Sequence, residues 1–100
     1  MDSGMKVWKY QLPLGDGEHQ KLAIPAQFAR ILTVQMQRDV PCLWVLVDPS
    51  SEVRVWHFHW VGTGCGVFQE VIDGGTYVGT VQTLGFVFHL FESGYESEVS

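Results

Sequence analysis

Basic charge is scarce in this sequence, and the few basic residues are not clustered. Six Lys and Arg residues stand against eleven Asp and Glu residues, and the formal net charge is -5 at pH 7. That excess lies in residues 51–100, and half of the acidic residues of this region fall in residues 92–100. Binding to nucleic acid needs clustered Lys and Arg against phosphate. The composition therefore predicts that nucleic acid is not a partner.

Cysteine and long apolar runs are also in short supply. Cys42 and Cys65 are too few and too far apart for a disulfide framework or a zinc ribbon. The N-terminus shows no basic run followed by an apolar stretch, as a signal peptide would. No segment reaches the ~18 consecutive apolar residues that a membrane helix needs. We therefore expect a cytoplasmic protein with two free thiols and no membrane contact.

Apolar residues are plentiful for so short a chain. Hydrophobic residues make up 46% and aromatic residues 13% of the 100 residues, so the chain can bury enough surface to offset the entropy of ordering it. This length allows one hydrophobic core and no second one. The acidic, polar residues 93–100 are predicted to be a disordered tail.

Apolar and polar residues alternate with a period of two along most of the chain, which is the signature of β-strands. Turn-forming Gly, Pro, Asp and Ser residues separate these runs at intervals of about ten residues. The pattern predicts an all-β fold, a small antiparallel sandwich or curled barrel of about seven short strands. The candidate strands are residues 7–12, 20–24, 30–38, 42–47, 53–61, 76–83 and 86–91.

Three connecting segments are less regular. Residues 26–29 fit either one helical turn or a simple link, and residues 67–72 fit a short strand or an irregular crossing. Residues 73–75, with the sequence Asp-Gly-Gly, are predicted to form a hairpin turn, because glycine tolerates positive φ.

Two histidines in the candidate strand 53–61 are the sharpest chemical signal. His57 and His59 project from the same face of a strand, close enough to share one metal ion, and His89 is the candidate third ligand. The competing interpretation is a solvent-facing pair beside an aromatic core formed by Trp56, Phe58 and Trp60. We predict no bound cofactor, and keep a metal-binding barrel as an alternative.

The segment Gly62-Thr63-Gly64-Cys65-Gly66 resembles a phosphate-binding loop only superficially. No helix is predicted after it, and no Lys-Ser or Lys-Thr pair follows, so a turn that ends a long strand explains the glycines better. Cys65 has no basic neighbour that would lower the pKa of its thiol. Because no nucleophile stands in a recognisable pattern with a base, we predict that the protein is not an enzyme.

The aromatic residues suggest a contact surface. More than one sheet face is predicted to be apolar, and surplus apolar surface is typical of a subunit interface or a ligand groove. We therefore expect a homo-oligomer. The candidate ligand or partner surface comprises Trp44, Trp56, Trp60, Gly62, Thr63 and Gly64.

Six segments of the chain occur in the order and spacing of a known family. They are KVWKY at 6–10, ILTVQ at 31–35, CLWVLVDP at 42–49, VGTG at 61–64, YVGTVQ at 77–82 and FHLFE at 88–92. On these segments the chain resembles a family of short uncharacterised proteins of tailed phages and prophages. The resemblance implies a single domain over residues 5–92, with residues 1–4 as an N-terminal extension.

The same resemblance bears on function. It implies a small phage accessory protein that acts in the host cytoplasm, either by docking on a host protein or by sequestering a small ligand. Such a protein is a non-enzymatic binding module, and one use is to antagonise host defence. A virion structural or assembly protein is the alternative that the resemblance leaves open.

Overall fold

A computed structural model describes residues 3–16 and 18–96 of the chain. Within these residues the protein forms seven strands, a short 3-10 turn at Leu14–Asp16 and one short helix. No helix in the described ranges is long and apolar enough to cross a membrane. The elements are β1 (Lys6–Gln11), β2 (His19–Pro25), β3 (Arg30–Gln37), β4 (Val40–Val47), β5 (Val53–Gly62), α1 (Gln69–Gly74), β6 (Thr76–Thr83) and β7 (Phe86–Tyr95).

The strands form two antiparallel sheets. One sheet has three strands in the order β1-β4-β3, and the other has four in the order β2-β5-β7-β6. The sheets pack as a sandwich and, within the described residues, do not close into a barrel. The predicted small antiparallel all-β fold is therefore confirmed, in its sandwich form.

The core lies between the two sheets and follows the alternation of the sequence. Leu43, Val45 and Val47 of β4 are buried, whereas Trp44 and Leu46 between them are half-buried. Burying one such side chain contributes roughly 1.5–3 kcal/mol. The remaining members of the core cluster are Leu12, Ile24, Val34, Trp56, Phe58, Trp60, Val81 and Leu90.

The sheets approach each other closely where β3 meets β6. A Cβ atom on Gly79 of β6 would lie only 2.9 Å from Cγ1 of Val34 of β3. Glycine within a strand often marks such a close approach, because any side chain would push the partner away. Gly79 therefore sets the spacing of the two sheets at this point.

Two connecting segments differ from the sequence-based expectation. The predicted strand or crossing at 67–72 is mostly helix α1, and the predicted hairpin turn at 73–75 is the end of that helix. The amide of Gly75 donates to the carbonyl oxygen of Val71 over 2.8 Å. Residues 26–29 form a turn in which the amide of Ala29 donates to the carbonyl of Ala26 over 3.2 Å.

The last strand is longer than predicted. β7 continues to Tyr95, so residues 93–95 belong to the sheet and not to the expected disordered tail. The strand persists because residues 93–95 stay alongside β5, where Tyr95 pairs with Trp56 beyond a bulge. The polar local sequence gave no sign of this long-range partner. Residues 97–100 of the predicted tail lie outside the described residues.

Candidate functional site

All four histidines lie on one face of the four-stranded sheet. His57 and His59 alternate with the buried aromatic residues of β5, so their side chains point away from the core. The strand register places His19 of β2 directly across from His59, and His89 of β7 across from Val61. Cross-strand partners share a face. We call this outward surface of the four-stranded sheet the histidine face.

Three of these histidines form a stack. The ring of His19 lies parallel to that of His59, with centroids 4.7 Å apart and an interplanar angle of 6°. The rings of His19 and His57 are 5.0 Å apart at 20°. A hydrogen bond of 2.8 Å joins Nε2 of His19 to Nδ1 of His57.

The stack continues into side chains from the end of the chain. Nε2 of His57 lies 3.1 Å from Oε1 of Glu96, and Nε2 of His59 lies 3.0 Å from Oγ of Ser93. A carboxylate only accepts, so His57 donates from Nε2 to Glu96. In neutral His57 the other ring nitrogen, Nδ1, then accepts a hydrogen bond from the Nε2–H of His19. The carboxylate of Glu96 thereby fixes the tautomer of His57 and, through it, the hydrogen bond from His19.

The surroundings of His59 disfavour its protonated form. Burial lowers the pKa of His59, and the neighbouring imidazoles of His19 and His57 lower it further. Glu70 of α1 acts in the opposite direction, raising that pKa. Partial burial and like charges both disfavour the imidazolium form, so His59 is kept neutral at lower pH than an isolated histidine.

His89 belongs to a separate cluster on the same face. Its Nε2 is 2.7 Å from Oγ1 of Thr63, and its Nδ1 is 3.0 Å from Oγ1 of Thr80. The hydroxyl of Tyr77 hydrogen-bonds in turn to Thr80. Thr63 of the glycine-rich loop therefore hydrogen-bonds to His89, the residue that the sequence suggested as a third metal ligand.

The metal site predicted from His57, His59 and His89 does not form. Both ring nitrogens of His89 face threonine hydroxyls, and the histidine beside the pair is His19. Across the described residues, no group of three or more His, Cys, Asp or Glu side chains is arranged to hold a metal. The role of His19 was missed because the register of β2 against β5 joins residues far apart in sequence.

The tryptophans do not form the predicted surface. Trp56 and Trp60 are 9% and 4% exposed and lie in the core. Large aromatic side chains on the inward positions of β5 fill the space between the sheets. Trp44 is half-buried and alternates with buried Leu43 and Val45, so it lies on the outward face of the other sheet. Trp56 and Trp60 therefore lie in the core, and Trp44 lies on the outer face of the three-stranded sheet.

The glycine-rich loop borders two adjoining clefts. One, of about 180 Å³, is lined by Trp60 together with Gly62, Cys65 and Phe88. The other, of about 90 Å³, lies between α1 and the histidine face and is lined by His19, His59, Phe68 and Val71 among others. Contrary to expectation a helix does follow the loop, but α1 has six residues and no basic residue in its last turn.

Helix α1 brings apolar groups to the edge of the histidine face. Val71 is buried, whereas Phe68 and Ile72 are 64% and 59% exposed. Tyr77 is also half-exposed on the face, where its ring contacts those of His89 and Phe91. An apolar and aromatic surface therefore lies directly beside the polar histidine clusters.

Comparison with known proteins places the chain in a family but supplies no biochemical activity. Neither the curated proteins nor the solved structures gave a match. The model of one family matches residues 4–99, which is nearly the whole chain. The protein belongs to the family described as Domain of unknown function (DUF7352).

Proposed function

We propose that this protein is a non-enzymatic binding module that contacts a protein partner through helix α1 and the histidine face. The observation that carries the proposal is the exposure of Phe68, which lines a cleft together with His19 and His59, and of Ile72 on the same short helix segment. Exposed apolar residues rimmed by polar groups mark interaction sites on soluble proteins. A solvated helix end would be expected to carry polar residues at these positions.

The composition of this surface suits a protein partner better than a small molecule. Aromatic side chains such as Phe68 and Tyr77 supply large contact area at low entropic cost, and a few such residues carry most of the binding energy at an interface. The clefts nearby have volumes of about 90 and 180 Å³, below the ~300 Å³ at which small-molecule sites begin.

The phage setting remains part of the proposal. It rests on the six segments that resemble proteins of tailed phages and prophages, and it makes a bacterial protein the expected partner. In that setting the module acts in the host cytoplasm. Antagonism of a host defence protein is the use that such docking best fits.

The test compares binding by three versions of the full chain. The unchanged protein and the double variant Phe68→Ser with Ile72→Ser are used to capture bacterial proteins. The control carries Phe28→Ser with Val53→Ser, which changes two side chains that are 72% and 55% exposed. A captured protein is then purified, and its Kd is measured for each version by calorimetry.

We expect the Phe68 and Ile72 variant to bind at least about thirtyfold more weakly, since loss of a central anchor costs about 2 kcal/mol or more. The control should bind as the unchanged protein does. Equal binding by all three versions would refute the proposed surface. A stoichiometric small-molecule adduct in native mass spectrometry, lost on His19→Ala, would favour a ligand-sequestering function instead.

A further inference from the structure

Among the described residues, a single strand pairs with the end of β7. β6 pairs with β7 as far as the match of Thr76 with Glu92. Beyond that point Tyr95 pairs with Trp56 of β5, and the amide of Glu96 donates to the carbonyl of Val55 over 2.8 Å. We call residues 93–96 the C-terminal strap. The strap pairs with β5 alone, whereas the middle of β7 pairs with both β5 and β6.

The strap contains a glycine in the left-handed conformation. Gly94 adopts a φ of 91°, in the left-handed region where glycine is unstrained. The register between β5 and β7 shifts between Trp56 and Phe58, which places a bulge beside this glycine. The amide of Gly94 donates to the carboxylate of Glu92 over 2.6 Å. A hinge at Gly94 would therefore leave the rest of β7 in place.

The strap covers a tryptophan that has an unused donor. The ring of Tyr95 lies 5.0 Å from that of Trp56, tilted by 46°. Trp56 is 9% exposed, and its indole Nε1 has no hydrogen-bond partner among the described residues. A buried donor without a partner is costly. Tyr95 itself is half-exposed and borders an open cleft of about 240 Å³.

The outward side chains of the strap are fastened to the histidine stack. Ser93, which precedes the hinge at Gly94, bonds to His59, whereas Glu96, which follows the hinge, bonds to His57 and lies 3.9 Å from Nζ of Lys21. The side chains of Lys21 and Glu96 are 58% and 42% exposed. Ion pairs between such solvated groups hold only weakly. These weak side-chain contacts therefore favour the closed position of the strap and still allow it to open.

We propose that the C-terminal strap is a lid that opens at Gly94 by local unfolding and exposes Trp56 to solvent. Segments with few backbone partners and exposed contacts open at lower free energy than the core. The open form presents an aromatic ring and a free N–H donor, which suits an aromatic group carrying a hydrogen-bond acceptor. This inference is independent of the proposed partner surface on α1.

Hydrogen exchange followed by NMR tests the lid. The full chain shows one indole signal for each of its four tryptophans, and the signal of Trp56 is identified by its loss in Trp56→Phe. In the unchanged protein, the Trp56 indole and the amides of Tyr95 and Glu96 should exchange at least about tenfold faster than the amide of Leu90. Exchange of all four at one rate would show that only global unfolding exposes Trp56, and would overturn the proposal.

A variant of the fastening provides the second measurement. Glu96→Ala should accelerate exchange at Trp56 and Tyr95 by about two- to fivefold, the effect of losing a solvated ion pair, while the Leu90 amide keeps its rate. Glu96→Gln, which retains an acceptor for His57, should fall between the two. Asp39→Ala removes one carboxylate from an exposed turn remote from the strap and should change nothing. If Glu96→Ala leaves Trp56 unchanged, the fastening has no role and the lid is rejected.

Discussion

Two adjacent glycines at the end of α1 have opposite structural roles. A Cβ atom on Gly75 would collide with the carbonyl oxygen of Val71, whereas one on Gly74 would meet no atom of the described residues within 4 Å. We expect Gly75→Ala to lower the free energy of unfolding by about 1–3 kcal/mol. Gly74→Ala should leave it unchanged or raise it by about 0.4–1 kcal/mol, since alanine restricts the unfolded chain. Urea unfolding of both variants checks this, and equal losses would contradict it.

The lowered pKa of His59 has a consequence for stability against pH. The unfolded chain has the ordinary histidine pKa of about 6.5, so it binds a proton at higher pH than the folded chain does. Stability is therefore present above pH 6.5 and falls as the pH decreases toward the lower pKa of folded His59. We expect the Tm to fall between about pH 7.5 and about pH 5.5.

The comparison variant for this pH effect is His19→Gln. It removes one of the imidazoles that lower the pKa of His59, so its Tm should fall less over the same range than that of the unchanged protein. His59→Gln should reduce the slope further, because the responsible group is gone. An identical slope in all three proteins would mean that the stack does not control the pH dependence.

At the scale of elements, the contact between β3 and β6 is a matched pair of side-chain volumes. Gly79→Ala places a methyl group against Val34 and should destabilise the protein by about 1–3 kcal/mol through overpacking. Val34→Ala alone destabilises by leaving a cavity. In the double variant the two changes compensate, so the loss should be smaller than the sum by about 0.5–3 kcal/mol. Additive losses in chemical denaturation would show that the two residues do not touch.

The elements that the sequence predicted well are those with local partners. Hairpin β3–β4 followed from the alternation around Val34 and from the turn before β4, and both strands lie where they were expected. Helix α1 was missed because six residues are too few to show a helical period, although the apolar spacing of Phe68, Val71 and Ile72 is compatible with one. Its short length left the periodicity ambiguous.

The candidate site was predictable only in part for the same reason. The alternation of β5 placed His57 and His59 together on one face, as the structure shows. Their neighbours come from β2 and from the end of β7, whose registers depend on the whole sheet. The burial of Trp56 and Trp60 depends on which face of β5 meets the other sheet. The sequence pattern alone allowed these tryptophans to form either the core or a contact surface.

For the whole molecule, the strand order sets the rate of folding. β1 pairs with β4, so that Lys6 meets Val47, and β2 pairs with β5, so that His19 meets His59. Such pairings close long loops before contacts offset the entropy, which slows folding in β-sandwiches to about milliseconds to seconds. Stopped-flow tryptophan fluorescence should show this range. Folding within microseconds would conflict with the non-local sheet order.

The gathering of all four histidines on one face has a practical consequence. Imidazole ring protons give NMR signals apart from those of other side chains, and here each of them reports on the same side of the molecule. A partner that approaches the histidine face will shift several of these signals together. A partner bound to the outward face of the three-stranded sheet, around Trp44, will leave them still. The histidine signals therefore report which face of the protein a partner binds, and they can be recorded without isotope labelling.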